Sequence, residues 1–130
     1  MTGFIDALRV SASGMDAQAT RLRYLSENIA NADTPGYHRK TVSFHAATGR
    51  DAPAGAVRPG PMRLDAAEPE RIFDPAHPLA GADGYRQGSN VNLLVEIADT
   101  REAGRSYEAN LRVFDQLRQM STALLDLLRR

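Results

Sequence analysis

Phe4-Ile-Asp-Ala-Leu-Arg-Val-Ser-Ala-Ser-Gly-Met-Asp-Ala-Gln-Ala-Thr-Arg-Leu-Arg-Tyr-Leu-Ser-Glu-Asn-Ile29 decides the fold. Phe4, Leu8, Met15, Leu22, Leu25 and Ile29, with Ala12 and Ala19 between them, recur at intervals of three and four, which places them on one face of a helix. The spacing predicts a long amphipathic helix. Thr2 stands where it would cap the first turn, and Asp6 lies near the positive end of the helix dipole. Asp33-Thr-Pro-Gly36 is the expected stop: Pro35 presets the first central φ of a type II turn and Gly36 tolerates the positive second one.

A second helical pattern runs without proline from Asn92 to Leu128. Ile97, Tyr107, Leu111, Phe114, Leu117, Met120, Leu124, Leu125 and Leu128 form its broad apolar stripe. Either Asn90 or Asn92 is placed to cap its start, and Arg129 with Arg130 suits its negative end. Gly104 inside this pattern costs about 1 kcal/mol relative to alanine, either as a tolerated imperfection or to let a neighbouring helix approach. At about 1.5 Å per residue the two helices would run roughly 35 to 55 Å, longer than so small a core needs. A surface outside the chain is therefore expected to cover part of them.

Between the helices, residues 37–90 hold most of the proline and glycine and only short apolar runs. Thr41-Val-Ser-Phe44, Met62-Arg-Leu64 and Arg71-Ile-Phe73 read as short strands, and Ala52 to Pro61 as an exposed loop. The expected fold class is mainly α: long N- and C-terminal helices packed as an antiparallel pair or coiled coil, with a small irregular β-containing central segment projecting sideways. The divisions are 1–36, helix and turn; 37–90, the central segment; and 91–130, the second helix. Together they form one folding unit, as 130 residues allow.

Lysine plus arginine and aspartate plus glutamate stand at 16 each, so no summed charge draws the chain to nucleic acid or an anionic membrane. Neither binding nor direct lipid anchoring is expected. The absence of cysteine removes disulfides, thiolate metal sites and a Cys nucleophile; it is compatible with export without showing it. With 6% aromatic residues and no tryptophan, the core must rest on Leu, Ile, Val, Met and Ala. Asp6 and Arg9 interrupt the apolar residues of the first ten positions, so no cleaved signal peptide and no membrane span are expected.

Chemistry finds little purchase. There is no glycine-rich phosphate loop, no zinc-protease helix and no nucleophile elbow, and His38, His45 and His77 lack metal-ligand spacing. Asp65, Glu68, Glu70 and Asp74 alternate with proline and arginine, as a solvated surface does, rather than as a paired acid and base. Glu108 with Arg112 and Asp115 with Arg118 are helical ion-pair spacings worth a few tenths of a kcal/mol each. No catalytic, cofactor-binding or metal residue is assigned, no cofactor is expected, and the chain is read as a non-enzyme.

Asn28-Ile-Ala-Asn-Ala-Asp-Thr-Pro-Gly-Tyr37, placed at the end of the first helix, resembles the N-terminal signature of the bacterial flagellar rod and hook axial proteins. Asp74-Pro-Ala-His-Pro-Leu-Ala80, Gly84-Tyr85, Asn90-Val-Asn-Leu-Leu-Val-Glu96 and Arg105-Ser-Tyr-Glu-Ala-Asn110 follow in the order of the family's proximal-rod branch. The short Thr34-Pro-Gly-Tyr37 is similar instead to the sister rod subunit FlgB, and Gly88-Ser89 replaces a more usual Met-Pro, so a FlgB-like subunit stays open as the alternative.

The resemblance implies a structural subunit of the basal-body rod, the drive shaft that transmits torque from the motor to the hook. It implies self-association in a helical array and partners among other rod proteins (FlgB, FlgF and FlgG-like), the adaptor FliE and the flagellar export apparatus. Passage through the flagellar type III pathway without signal cleavage, to a rod spanning the periplasm, is implied too. Asn28, Ala30, Asn31, Thr34, Pro35, Gly36 and Tyr37 become the family turn, expected at a seam between subunits, with the Asn28 and Asn31 amides satisfying backbone groups at the helix end. Leu8, Met15, Leu22, Leu25, Ile29, Tyr107, Leu111, Phe114 and Leu125 become the helix-packing and assembly residues. Two rivals remain: a helical adaptor or export chaperone binding partner helices through the same stripes, and a small hydrolase using the middle carboxylates.

Overall fold

The computed structural model describes residues 2–129. Helix α1 spans Thr2–Ala30, and helix α2 spans Leu93–Leu128. Between them lie six short strands: β1 Lys40–Thr41, β2 Phe44–Ala46, β3 Val57–Pro59, β4 Arg63–Leu64, β5 Arg71–Phe73 and β6 Tyr85–Gln87. The fold is mainly helical, two long helices with a small central segment of antiparallel strands.

The helices are antiparallel. Going up α1, Gly14 faces Asn110, Arg21 faces Asp99 and Glu102, and Asn28 faces Glu96. Gly14, Arg21 and Asn28 are each one heptad apart, as are Glu96, Ala103 and Asn110, so the seam is a coiled-coil register run in opposite directions. Its filling is small and polar. Ala103 is 0% exposed, Ala17 is buried, and a Cβ on Gly14 would stand 2.8 Å from the Asn110 amide nitrogen. Small residues let two helix backbones approach closely, and the larger side chains are then displaced to the flanks.

That displacement changes the expected stripe. Leu25 is buried, and Phe4, Leu8, Met15, Leu22, Ile29, Tyr107, Phe114 and Leu117 are half-buried along the flanks. Ile97, Leu111, Met120, Leu124, Leu125 and Leu128 are exposed, because Glu96, Ala103 and Asn110 hold the seam instead. Gly104, by contrast, has nothing within 4 Å of its Cβ position, so the close approach falls at Gly14.

Asn110 is held by a hydrogen bond from its amide to the Ser106 carbonyl at 3.0 Å. Gly14→Ala alone is therefore expected to be near neutral, helix propensity gained against a displaced Asn110. In an Asn110→Ala background the same change should stabilise by about 1 kcal/mol. Urea unfolding of the four proteins checks this; no difference between backgrounds would refute the contact.

Helix ends also differ from expectation. Thr2 is already helical and no acid lies in the first turn, so neither Thr2 nor Asp6 acts as expected at the start. Asn92 caps α2, its side-chain oxygen accepting from the backbone amides of Leu94 at 3.1 Å and Val95 at 3.5 Å. Arg129 is the C-cap; Arg130 lies outside the described residues.

The middle does not project freely. β1 pairs with β4 and β2 with β3 in one long hairpin whose register slips by one residue between Thr41↔Arg63 and Phe44↔Pro59. The extra residue, among Gly60-Pro61-Met62, makes a bulge. The hairpin runs back along α1: Ser13 Oγ accepts from Val57 N at 3.1 Å, and Arg9 donates to the Asp51 carbonyl at 2.6 Å. The stretch from Ala52 to Pro61 is thus no exposed loop, since it contains β3 and the buried Ala56. β5 and β6 form a separate hairpin beyond the end of α1. Among the described residues, no helix is long and apolar enough to cross a membrane.

Candidate functional site

The joint where α1 ends, the first hairpin leaves and α2 begins gathers most of the buried polar atoms. α1 stops because its chain turns at Asn31 to Tyr37. Tyr37 N donates to the Thr34 carbonyl at 3.1 Å, and Gly36 sits at φ +72°, the left-handed value that a type II turn requires there. Gly36 N then donates to the Gly88 carbonyl at 2.9 Å, binding the turn to the approach to α2.

Asn28 is 0% exposed and every hydrogen-bonding position of its amide is filled. Its oxygen accepts from Lys40 N at 2.8 Å and the Tyr37 hydroxyl at 3.0 Å; its nitrogen donates to the Lys40 carbonyl at 2.9 Å and Glu96 Oε2 at 3.1 Å. Asn28 therefore clasps β1 and α2 rather than serving the helix end. Asn31 does serve it, donating to the Glu27 carbonyl at 2.8 Å.

Glu96 is also 0% exposed. Its second oxygen accepts from Arg39 Nε, and the Arg39 guanidinium extends on to Asp99 at 3.2 Å. A buried carboxylate needs both a counter-charge and filled lone pairs, and Arg39 with Asn28 supplies them. The Arg39 backbone amide donates to Asn90 Oδ1 at 2.5 Å, and Asn90 Nδ2 donates to the Asp65 and Ala67 carbonyls at 3.1 and 2.9 Å. Asn90 thus ties down the central segment while Asn92 caps the helix.

Around this centre, Lys40 Nζ bonds Glu27 at 2.5 Å, and that hydrogen bond holds the ammonium above the usual lysine value. Burial raises the Tyr37 hydroxyl above the ordinary phenol range, consistent with its role as a donor to Asn28.

Of the remaining turn residues, Ala30, Thr34 and Gly36 are exposed and Pro35 half-buried. The sequence gives Arg39 no role, and Glu96 figures there only as the last residue of the Asn90 to Glu96 block. A charged residue one heptad from Ala103 and two from Asn110 was the signal available.

His38 is half-buried at the joint, within 2.9 Å of the Asp65 carbonyl and 3.3 Å of the Asn90 amide, and the Asp65 carboxylate stands 3.9 Å from Arg39, whereas the other histidines and middle carboxylates are scattered nearer the surface. His45 meets Ser43, His77 Nδ1 accepts from Leu79 N, and Asp74 pairs with Arg86 at 3.4 Å. Among the described residues no group of three acidic or histidine side chains is placed to hold a metal ion. What the arrangement does is fasten β1 and the approach to α2 to the end of α1.

The same two regions carry the likeness to known proteins. Residues 8–38 match the family model described as flagella basal body rod protein, and residues 82–127 match that of the flagellar basal body rod FlgEFG protein C-terminal region. Both models place the chain in the class of axial rod proteins. It is 42% identical to the flagellar basal-body rod protein FlgC of Agrobacterium fabrum, covering 95% of this chain and 94% of that protein. Identity to FlgC of Escherichia coli O6:H1 is 32%, with 91% and 92% covered, and to FlgC of Bacillus subtilis 31%, with 98% and 99% covered. The chain belongs to the FlgC family of flagellar basal-body rod proteins and is a structural subunit of that rod.

Proposed function

We propose that the chain is built into the rod through its two end helices, and that the array so formed is the shaft carrying torque from motor to hook. The observation behind this reading is the mismatch on α2: its seam is filled by Glu96, Ala103 and Asn110, while Leu111, Met120, Leu124 and Leu125 remain 40 to 48% exposed. Neighbouring subunits that cover those side chains gain about 25 cal/mol for each Å² of apolar surface buried.

In this reading residues 1–36 and 91–130 are the axial core, and 37–90 sets the register against the next subunit. The turn from Asn28 to Tyr37 lies at a seam between subunits. Leu8, Met15, Leu22, Leu25, Ile29, Tyr107, Leu111, Phe114 and Leu125 divide between packing within the chain and packing across that seam. Partners are the other rod proteins FlgB, FlgF and FlgG, the adaptor FliE, and the export apparatus, which passes the chain without signal cleavage into a rod spanning the periplasm. The role is structural rather than catalytic, in keeping with relatives that are rod proteins.

The test is complementation of a strain lacking the gene. Wild type should restore rod, hook and motility. Leu111→Asp, at a site 40% exposed, should cost the folded monomer about 1 to 2 kcal/mol and still be produced and exported, yet leave rods unmade. Normal basal bodies without the gene, or full motility with Leu111→Asp, would overturn the reading.

A further inference from the structure

A seam built on heptads can be slid by one repeat and still find a seam. In the observed register Gly14 stands level with Asn110 and Asn28 with Glu96, which puts Arg21 level with Ala103. Sliding α2 by one heptad toward the start of α1, about 10 Å at 1.5 Å per residue, sets Glu96 level with Arg21 and Ala103 level with Gly14. The same slide brings Asp99 and Thr100 level with Gln18.

At the seam itself these pairings serve at least as well as the observed ones. Arg21 has only long contacts now, 3.6 Å to Asp99 and 3.9 Å to Glu102, and the slide offers it the Glu96 carboxylate. Gly14 exchanges a crowding amide for the methyl group of Ala103. Gln18 Oε1 is buried and has no hydrogen-bond partner among the described residues, which costs free energy. The slide brings to its level the Thr100 hydroxyl, which now folds back on the Glu96 carbonyl at 2.7 Å.

The observed register is held from outside the seam. Arg39 takes Glu96, and Asn90 accepts from the Arg39 amide at 2.5 Å while donating to the Asp65 and Ala67 carbonyls at 3.1 and 2.9 Å. The slide breaks these ties and the bond from Asn28 to Glu96, yet leaves Asn28 on β1. We propose that the helix pair has two registers one heptad apart, and that the joint, through Arg39 and Asn90 of the central segment, selects between them. Fixing a register is the best-attested use of a buried ionic cluster. A displacement of the central segment is thereby converted into an axial step of α2 along α1, a ratchet between two discrete packings. The proposal concerns a single chain and does not rest on the rod reading.

The chain has no cysteine, so introduced pairs report the register cleanly. In the purified full-length chain treated with oxidised glutathione, Gly14→Cys with Asn110→Cys reads the observed register, and Gly14→Cys with Ala103→Cys reads the slid one. With the joint intact the first disulfide should form about tenfold faster than the second; adding Arg39→Met and Asn90→Ala should invert that preference. Arg21→Met, which removes the partner that Glu96 meets after the slide, should then slow the second disulfide again. Circular dichroism checks that each variant is helical. Where the opened joint does not fold, the two disulfide-closed proteins replace it: Arg39→Met should lower the urea midpoint of the first and leave that of the second nearly unchanged. An opened-joint variant that folds and keeps the tenfold preference for the first disulfide would overturn the proposal, as would a second closed protein that does not fold or that loses as much to Arg39→Met as the first.

Discussion

Glu96→Ala is expected to lower the unfolding free energy by about 3 kcal/mol, the largest effect of any single side-chain truncation at the joint. The glutamate is fully buried, with one oxygen on Arg39 and the other on the Asn28 amide at 3.1 Å. Removing it leaves the Arg39 guanidinium facing a void and one Asn28 donor unfilled, which costs more than the intact pair contributes. Because the Arg39 side chain is 23% exposed and also reaches Asp99, water and a second carboxylate soften the loss, so the lower part of the range for broken buried pairs applies. Glu96→Gln keeps the shape and an acceptor for Arg39, and should cost less. Urea unfolding followed by helical circular dichroism measures both, and a loss under about 1 kcal/mol for alanine would mean the cluster is not a structural centre.

Ala103→Leu is expected to destabilise by about 3 kcal/mol, at the upper end of over-packing costs. Ala103 has no exposed surface and lies in the seam where α1 and α2 approach closely. A leucine there must push the helices apart, breaking the register that joins Gly14 to Asn110 at one point and Asn28 to Glu96 at another. Leu124→Ala removes as much apolar volume as the first change adds, but from an exposed position, and should alter the free protein by less than about 0.5 kcal/mol. Thermal unfolding of the two variants side by side separates the seam from the assembly face. Equal effects would show that Ala103 does not set the helix spacing.

The pairing of these outcomes follows from how the helices divide their labour. At the seam the two helices meet through Ala103, Gly14 and the clasped Glu96, with Leu25 buried beside them. Phe4, Leu8, Met15, Leu22, Ile29, Tyr107, Phe114 and Leu117 are half-buried along the flanks, and Leu111, Leu124, Leu125 and Leu128 of α2 are left for another surface. Reading the leucines as the seam of a single chain is the natural inference from periodicity, because a three-and-four spacing gives a face without saying which partner occupies it. Ile97 and Leu111 recur with that spacing as faithfully as Glu96 and Ala103 do.

By itself, the sequence determined the two long helices, the stop at Thr34-Pro-Gly-Tyr37 with its positive-φ glycine, short strands near Thr41 to Phe44, at Leu64 and at Arg71–Phe73 but not those at Val57–Pro59 and Tyr85–Gln87, and the likeness to axial rod proteins. All of these depend on residues near one another in the chain: apolar period, capping side chains, and the fixed φ of proline beside the freedom of glycine. Only the tertiary structure decided that Gly14 rather than Gly104 is the point of close approach, that Ala56 is folded against α1, and that Asn28, Arg39 and Glu96 meet in one buried knot. Those facts depend on groups brought together from 57 and 68 residues away in Arg39–Glu96 and Asn28–Glu96. A charged side chain reads as surface in any local window, and becomes interior only when folding delivers its counter-charge and both its hydrogen-bond donors to the same place.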